Sequence, residues 1–495
     1  MITLNDFVVH KKLYIGNIKI EPRKVTAEYR IVRKNNTTIN YLFDYSYEKN
    51  YFDKSDSDDV NLASIMLAQV AINYGLFFEE MEFDGLYDDN DKKFIIEMIE
   101  NTSVEIYINK LLIDNPFLVK PFDSLTFEKK EKYTASKIIF TNYKFANLKL
   151  EKLKSKTDIN RYAILSSGGK ESLLSYGLLQ ELGTPYPVFV NESGRHWYTA
   201  YNSYHYFKDN INNTEKPWTN SDRVFNWFLK NLPFIKKNYA DMSADIYPIR
   251  LWTVAIFLFA VLPVARKNNI GNIIIGDEYD TTVRGIYKGL NHYLGLYDQS
   301  RYFDNYLSKY YKRKGWEIRQ YSLLRSLSEM LGLKILVKRY PDLQRYQVSC
   351  HAAHSKNGKM YPCGKCEKCR RIIGMLIALD EDPKRCGYTD EQIKHAFTTL
   401  SKYPTHQIET DRNHLYYLLI NKDLIEPNNF TKKQAKAHPE IFKLRFGNKK
   451  SIINEIPEHI RPKLLEIYLH YADGIVSMKN GKWEEIENIN EFIKG

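Results

Sequence analysis

Cysteine is scarce. The chain has five in 495 residues, and four of them fall between Cys350 and Cys369. A secreted disulfide framework disperses an even number of cysteines along the chain, so this clustering excludes one and points to a metal in a reducing compartment. The amino terminus, MITLNDFVVHKK, has no basic segment followed by an apolar core and a small-residue cleavage site, and no signal peptide is expected. Long hydrophobic runs are also missing. The longest, Leu251 to Ala265, is shorter than the ~20 residues of a membrane span and is interrupted by Pro263, so it reads as a buried helix. There is no internal repeat and no low-complexity tract. A cytoplasmic protein with no membrane partner is the expectation.

The chain has ample material for a core, with 43% hydrophobic residues and a length that suggests two to four structural units. The formal charge is +12, but the basic residues are spread along the chain rather than clustered. Enrichment in Lys, Asn, Ile and Tyr fits an A+T-rich genome, and no nucleic-acid partner is expected.

Residues 1–125 mix short strand-like runs with a helix over Val60 to Tyr74 and read as an α+β region. Residues 126–160 are Lys-rich, contain one strand-like run, Lys137 to Thr141, and read as a basic connecting region. From Arg161 the pattern changes. Tyr162 to Leu165 is a β-type run, SSGGKES follows, and Leu174, Leu178 and Leu182 recur at helical spacing before Gly183 and Pro185. Pro187 to Val190 reads as the next strand. Trp252 to Arg266 reads as a buried helix, and Asn272 to Gly276 as a buried strand ending in Asp277, Glu278 and Asp280. Strands alternating with helices imply a parallel sheet, and ligands of such sheets bind beyond the carboxyl ends of the strands. Residues 161–345 are therefore expected to form an α/β nucleotide domain. Residues 346–390 are expected to form a metal module, and residues 391–495 a mainly helical region.

In Ser167-Gly168-Gly169-Lys170-Glu171-Ser172 two glycines allow a tight turn that brings N–H groups to an anion, and a helix N-terminus points at the same place. Serine hydroxyls and the Lys170 cation also suit a polyphosphate. The spacing is not that of a Walker A loop. It resembles the SGGxDS loop of the PP-loop, or N-type, ATP pyrophosphatases. That resemblance implies ATP cleavage between the α- and β-phosphates, with the loop holding pyrophosphate while AMP passes to a substrate. Glu171 stands where the family has Asp, and its extra methylene moves the carboxylate by about a bond length.

Cys350, Cys363, Cys366 and Cys369 form C-x12-C-x2-C-x2-C. Each x2 spacing converges two thiolates on one turn, and Gly364 frees the backbone of the first. Four thiolates suit tetrahedral Zn²⁺ in a closed, structural site. An iron–sulfur cluster is the alternative, and His351 or His354 could replace a cysteine. Cys386 is left over.

Together the two motifs are similar, over about Arg161 to Tyr388, to the 7-cyano-7-deazaguanine synthases of the queuosine pathway. The tail Pro362-Cys363-Gly364-Lys365-Cys366-Glu367-Lys368-Cys369-Arg370 resembles their zinc-binding end. Those enzymes adenylate 7-carboxy-7-deazaguanine for attack by ammonia, and relatives in antiphage operons join the acid to a protein amine. Gly276-Asp277-Glu278, Tyr297-Asp298-Gln299-Ser300 and Ser322 to Glu329 loosely resemble the UDP-N-acetylmuramoyl-L-alanyl-L-glutamate epimerases. Both relatives turn a carboxylate into an acyl-adenylate.

The implied partners are ATP, Mg²⁺, Zn²⁺ and a small-molecule or protein substrate bearing a carboxylate or an amine. A homodimer or an operon-encoded protein partner is also admitted. The pyrophosphate cradle is expected at Ser167, Gly168, Gly169, Lys170 and Ser172, with Glu171 on Mg²⁺. Lys170, Glu171 and Asp277 are the expected catalytic residues. Glu278 and Asp280, like Asp277, are candidates for metal or a substrate amine, the alternative being a solvated acidic loop. Arg195, with His196 and Trp197, is a candidate for nucleotide or anionic substrate. Arg250 and Arg325 are weaker ones. Two further alternatives stay open: a nucleotide-binding subunit without turnover, and a tRNA-modifying thiolase or lysidine-type enzyme.

Overall fold

Period-two alternation sets the first sheet. In the computed structural model, which describes residues 2–150, 156–242, 247–448, 451 and 454–487, strands β1 (His10–Glu21), β2 (Lys24–Arg33) and β3 (Thr38–Ser46) form an antiparallel meander. Val25, Ala27, Tyr29 and Ile31 of β2 alternate inward and are fully buried. Helix α1 (Ser57–Ala68) follows, continued by a 3-10 turn to Tyr74. Strand β4 (Phe78–Asp84) runs parallel to β1, and after α2 (Asp89–Ile106) β5 (Lys137–Thr141) runs parallel to β4. The strand expected in the connecting region is thus the edge of the first sheet. Residues 151–155 of that region lie outside the described residues.

The second sheet is wholly parallel. Its strands are β6 (Asp158–Leu165), β7 (Thr184–Val188), β9 (Ile270–Ile274) and β12 (Arg319–Tyr321), in the order β12-β9-β6-β7. The fold is therefore α/β with a parallel sheet. Between β6 and β7 lies α3 (Lys170–Leu179), which ends before Leu182. Gly183 packs so tightly on Asn160 that a Cβ there would lie 2.5 Å from the Asn160 carbonyl oxygen. Between β7 and β9 lie α4 (His196–Asn210), a two-residue strand β8 (Trp218–Thr219), α5 (Ser221–Asn231) and α6 (Val254–Lys267). Strand β8 pairs with β3, so the two sheets are stitched together.

Helix α6 is the buried apolar run. Leu258, Phe259 and Leu262 are fully covered, each contributing ~1.5–3 kcal/mol as an upper estimate. Pro263 sits inside this helix. Among the described residues no helix is long and apolar enough to cross a membrane.

After β9 come a hairpin, β10 (Arg284–Tyr287) with β11 (Leu290–Tyr293), then α7 (Arg301–Arg313), α8 (Glu329–Arg339) and the short α9 (Pro341–Gln344). A second small hairpin, β13 (His354–Lys356) with β14 (Lys359–Tyr361), leads to α10 (Glu367–Ala378). The carboxyl-terminal region holds helices over Asp390–Leu400, Glu409–Asn421, Asn429–Gln434 and Arg461–Leu469. It also holds a three-stranded sheet of Leu444–Phe446, Ile475–Lys479 and Lys482–Glu485, which the helical expectation for this region does not include.

Candidate functional site

Strands β6 and β9 end side by side, and the loop after β6 turns directly into α3. Gly168 sits at φ +74°, in the left-handed region that favours glycine. Its neighbours leave no room for a side chain: a Cβ would lie 2.2 Å from the Thr199 carbonyl oxygen and 2.6 Å from Ser203 Oγ. Helix α4 therefore packs against the bare loop backbone, and Thr199 Oγ1 donates to the Ser167 carbonyl at 2.9 Å. The Gly168 N–H donates to Ser172 Oγ at 3.1 Å, and the Gly169 N–H to Ser167 Oγ at 3.3 Å. Gly169 caps α3, so the loop amides lie at the positive end of a ten-residue helix.

Above the loop opens a cleft of about 400 Å³. Ser166, Ser167, Glu171 and Ser172 line it from the loop, Asp277, Glu278 and Asp280 from the segment after β9, and Glu329 from α8.

Lys170 does not line it. Its side chain is 3% exposed, and Nζ lies 3.0 Å from Glu278 Oε1, 3.5 Å from Glu329 Oε1, and in contact with Glu171. Burial alone would lower its pKa, but the three carboxylates override that and hold the ammonium charged. Arg371 of α10 extends the network, 3.6 Å from Glu329. The cation of the loop is thus committed to a buried cluster of glutamates rather than directed to the cleft.

Glu171 does face the cleft, with its side chain 32% exposed. Asp277 is buried and 3.3 Å from Arg325, which also pairs with Asp304 at 2.6 Å. Burial pushes the Asp277 carboxyl well above its usual range, and lifts Asp280 to about 6 with Glu329 adding to the effect. Asp298 has a role that its motif alone does not disclose: Oδ2 accepts the N–H groups of Thr253, Val254 and Ala255 at 2.8, 2.7 and 3.0 Å, fixing the start of α6.

The far end of the cleft is aromatic and cationic. Arg250 lies over the Tyr247 ring at 3.7 Å and the Phe225 ring at 4.6 Å, and pairs with Asp222 at 2.8 Å. Glu192, 3% exposed, accepts the His196 N–H at 2.9 Å, and burial raises it to about 7. Arg195 caps α4 from outside, is exposed and does not line the cleft. Its neighbour His196 does. Trp197 packs on Tyr204 instead. Glu192, Asp222 and Arg371 carry no local motif, Glu329 closes the segment Ser322 to Glu329 without a role assigned to it, and only the fold brings the four to the loop.

The four cysteines converge. Their sulfur atoms all lie within 4.8 Å of one another, with Cys350 to Cys366 at 3.5 Å and Cys363 to Cys369 at 3.8 Å. A tetrahedron with ~2.3 Å metal–sulfur bonds has edges of about 3.8 Å. The four residues could therefore hold a metal ion such as zinc. An iron–sulfur cluster divides four thiolates between two or four irons and would spread the sulfurs further apart than a single ion does. Gly364, at φ +71°, makes the turn, and the Lys365 and Cys366 N–H groups donate to Cys363 Sγ at 3.4 and 3.3 Å. His351 packs against His196, with ring centroids 4.3 Å apart and the rings tilted by 41°, and His354 lies exposed on β13; neither joins the sulfur cluster. Cys386 is a buried thiol that donates to the Pro383 carbonyl.

The cysteine-bearing segment also builds the cleft: His351 follows Cys350, Lys368 and Arg371 lie on α10, which Cys366 caps, and all three line it. Comparison with family models, with curated proteins and with solved structures returns no match to this chain.

Proposed function

We propose that the cleft binds ATP with its pyrophosphate on the loop Ser167 to Ser172, and that the protein transfers AMP to a substrate carboxylate. The observation that carries this reading is the Gly168 turn: a left-handed glycine at a strand-to-helix junction, packed on bare backbone, opening into a cleft at the carboxyl ends of a parallel sheet. The resemblance of SSGGKES to the PP-loop supports it independently of the fold.

A carboxylate is a poor electrophile, and adenylation activates it. One substrate oxygen attacks the α-phosphorus, the bond from that phosphorus to the α–β bridging oxygen breaks, and pyrophosphate leaves with the electron pair. The loop amides and the hydroxyls of Ser167 and Ser172 would hold the departing charge. Among the described residues, only the cysteines bring three or more ligand atoms together. The acidic wall is therefore not an all-protein metal cage, and that suits Mg²⁺, which takes one or two carboxylates and completes its shell with phosphate oxygens. Glu171 and Asp280 would hold it, and when bound it would neutralise the phosphates. Lys170 has a positioning role in this scheme, keeping Glu171 and Glu278 in place. The aromatic and cationic end, with Arg250, Tyr247 and Phe225, suits a flat acid of the 7-carboxy-7-deazaguanine type, and the cysteines suit structural zinc.

Chromatography of the nucleotide products tests the reading. AMP and pyrophosphate are expected, dependent on Mg²⁺ and on a carboxylate co-substrate. ADP and phosphate as main products would overturn it. Glu171→Asp should keep or raise turnover and Glu171→Ala depress it. The burial of Lys170 favours one second reading, a nucleotide-binding subunit without turnover. Exchange of labelled pyrophosphate into ATP separates the two, since only the enzyme catalyses it.

A further inference from the structure

The cleft carries more acid than base, and almost all of its base is already used. Lys170 is buried among glutamates. Arg250 is paired with Asp222 at 2.8 Å. Arg371 lies 3.6 Å from Glu329 and donates to the His406 carbonyl at 2.6 Å. Lys368 is the remaining Lys or Arg lining the cleft, and among the described residues it has no ion pair and no hydrogen bond. A nucleotide triphosphate brought into such a cleft meets one uncommitted cation.

We infer that Lys368 is the cation that meets the phosphates of the bound nucleotide, the part that the loop sequence offers to Lys170. This rests on the ATP reading above. The position of Lys368 is set twice over. It lies between Cys366 and Cys369, in the first turn of a twelve-residue helix whose amino end is pinned by the sulfur cluster. Its charge also acts on both His196 and His351, whose rings pack together on that side of the cleft, and α4, which begins at His196, reaches the loop through Thr199 and Ser167. The cysteine module then does more than stabilise the fold: it fixes the direction of a phosphate-binding side chain.

A competing role is charge balance, since four thiolates around a divalent ion are net negative and attract lysines. Lys365 answers that need without serving the cleft. It lies in the turn between Cys363 and Cys366, just before that helix, is exposed, and does not line the cleft. The two lysines therefore separate the roles.

The test is a calorimetric titration of the full chain with MgATP, with metal content measured on every sample. Lys368→Ala should weaken binding about tenfold or more, as expected for loss of a charge-assisted contact. Lys368→Arg should restore most of it, Lys365→Ala should leave it unchanged, and all should keep the wild-type metal content. If Lys368→Ala disturbs the metal, Lys368→Gln takes its place under the same two outcomes. Wild-type affinity in a charge-free variant with intact metal overturns this inference and leaves the ATP reading standing. Failure of the wild-type protein to bind MgATP at all overturns both.

Discussion

Lys170 Nζ and Glu278 Oε1 lie 3.0 Å apart, both side chains buried, and this pair joins the loop after β6 to the segment after β9. Removing one partner of a buried pair leaves the other charge uncompensated. Lys170→Met should therefore destabilise the fold by roughly 3–5 kcal/mol, seen as a lower midpoint in chemical denaturation. Pairing it with Glu278→Gln should recover part of the loss. A change in ATP affinity with unaltered stability would contradict the buried-cluster role.

Gly168→Ala tests the turn. The left-handed backbone costs an L-residue roughly 1–2 kcal/mol, and the added Cβ meets the Thr199 carbonyl at 2.2 Å. Backbone cannot rotate away as a side-chain tip can, so α4 or the loop must shift. Both the melting temperature and nucleotide binding should fall, whereas Gly289→Ala, at a glycine with open space around it, should leave binding intact.

Elemental analysis should find about one zinc per chain. Cys363→Ser should lose it and destabilise the fold by roughly 3 kcal/mol or more, and a chelator should lower the melting temperature of the native protein. Equal thermal stability with and without metal would sink the structural role.

Asp298→Ala removes the acceptor of three N–H groups at the start of α6. A loss of about 2 kcal/mol is expected, measurable by denaturation. Asp298→Asn keeps one oxygen and should fall between the variant and the native protein.

Asp280 predicts a pH dependence. Burial first, then Glu329, lifts it to about 6. Its folded pKa lies above its unfolded one, so the native state binds the proton more tightly, and stability from this group is lost as pH rises through about 6. Asp280→Asn should therefore be more stable than the native protein near neutral pH, by on the order of 1 kcal/mol, with the difference shrinking on acidification. Mg²⁺-dependent nucleotide binding should run the opposite way, weakening as Asp280 protonates below about 6 and flattening in the variant.

The parts legible in the sequence are local. The change from β to helical period around SSGGKES appears as β6, a turn and α3, and the cysteine spacing appears as a converged cluster. In both cases neighbours in the chain are neighbours in space. The fate of Lys170 was not legible, because Glu278, Glu329 and Arg371 are distant in sequence and meet it only after β9, α8 and α10 have packed. A lysine in a phosphate-type loop can turn toward a ligand or toward the core, and nothing local decides between them. Asp298 shows the same limit: its sequence neighbours suggest a motif, but the amides it holds belong to a different helix.

The stitching of the two sheets bears on how such a chain can be cut and recombined. Strand β8 adds to β3, the Tyr45 and Tyr47 hydroxyls donate to carbonyls of α6, and Asn73 accepts the N–H groups of Leu251 and Trp252. One apolar cluster runs from β1 through α6 to Ile318. The first 125 residues are therefore not a detachable module. Inheritance of the parallel-sheet half without them would leave the face of α6 bare to water, so the two halves are bound to travel, and to unfold, as one piece.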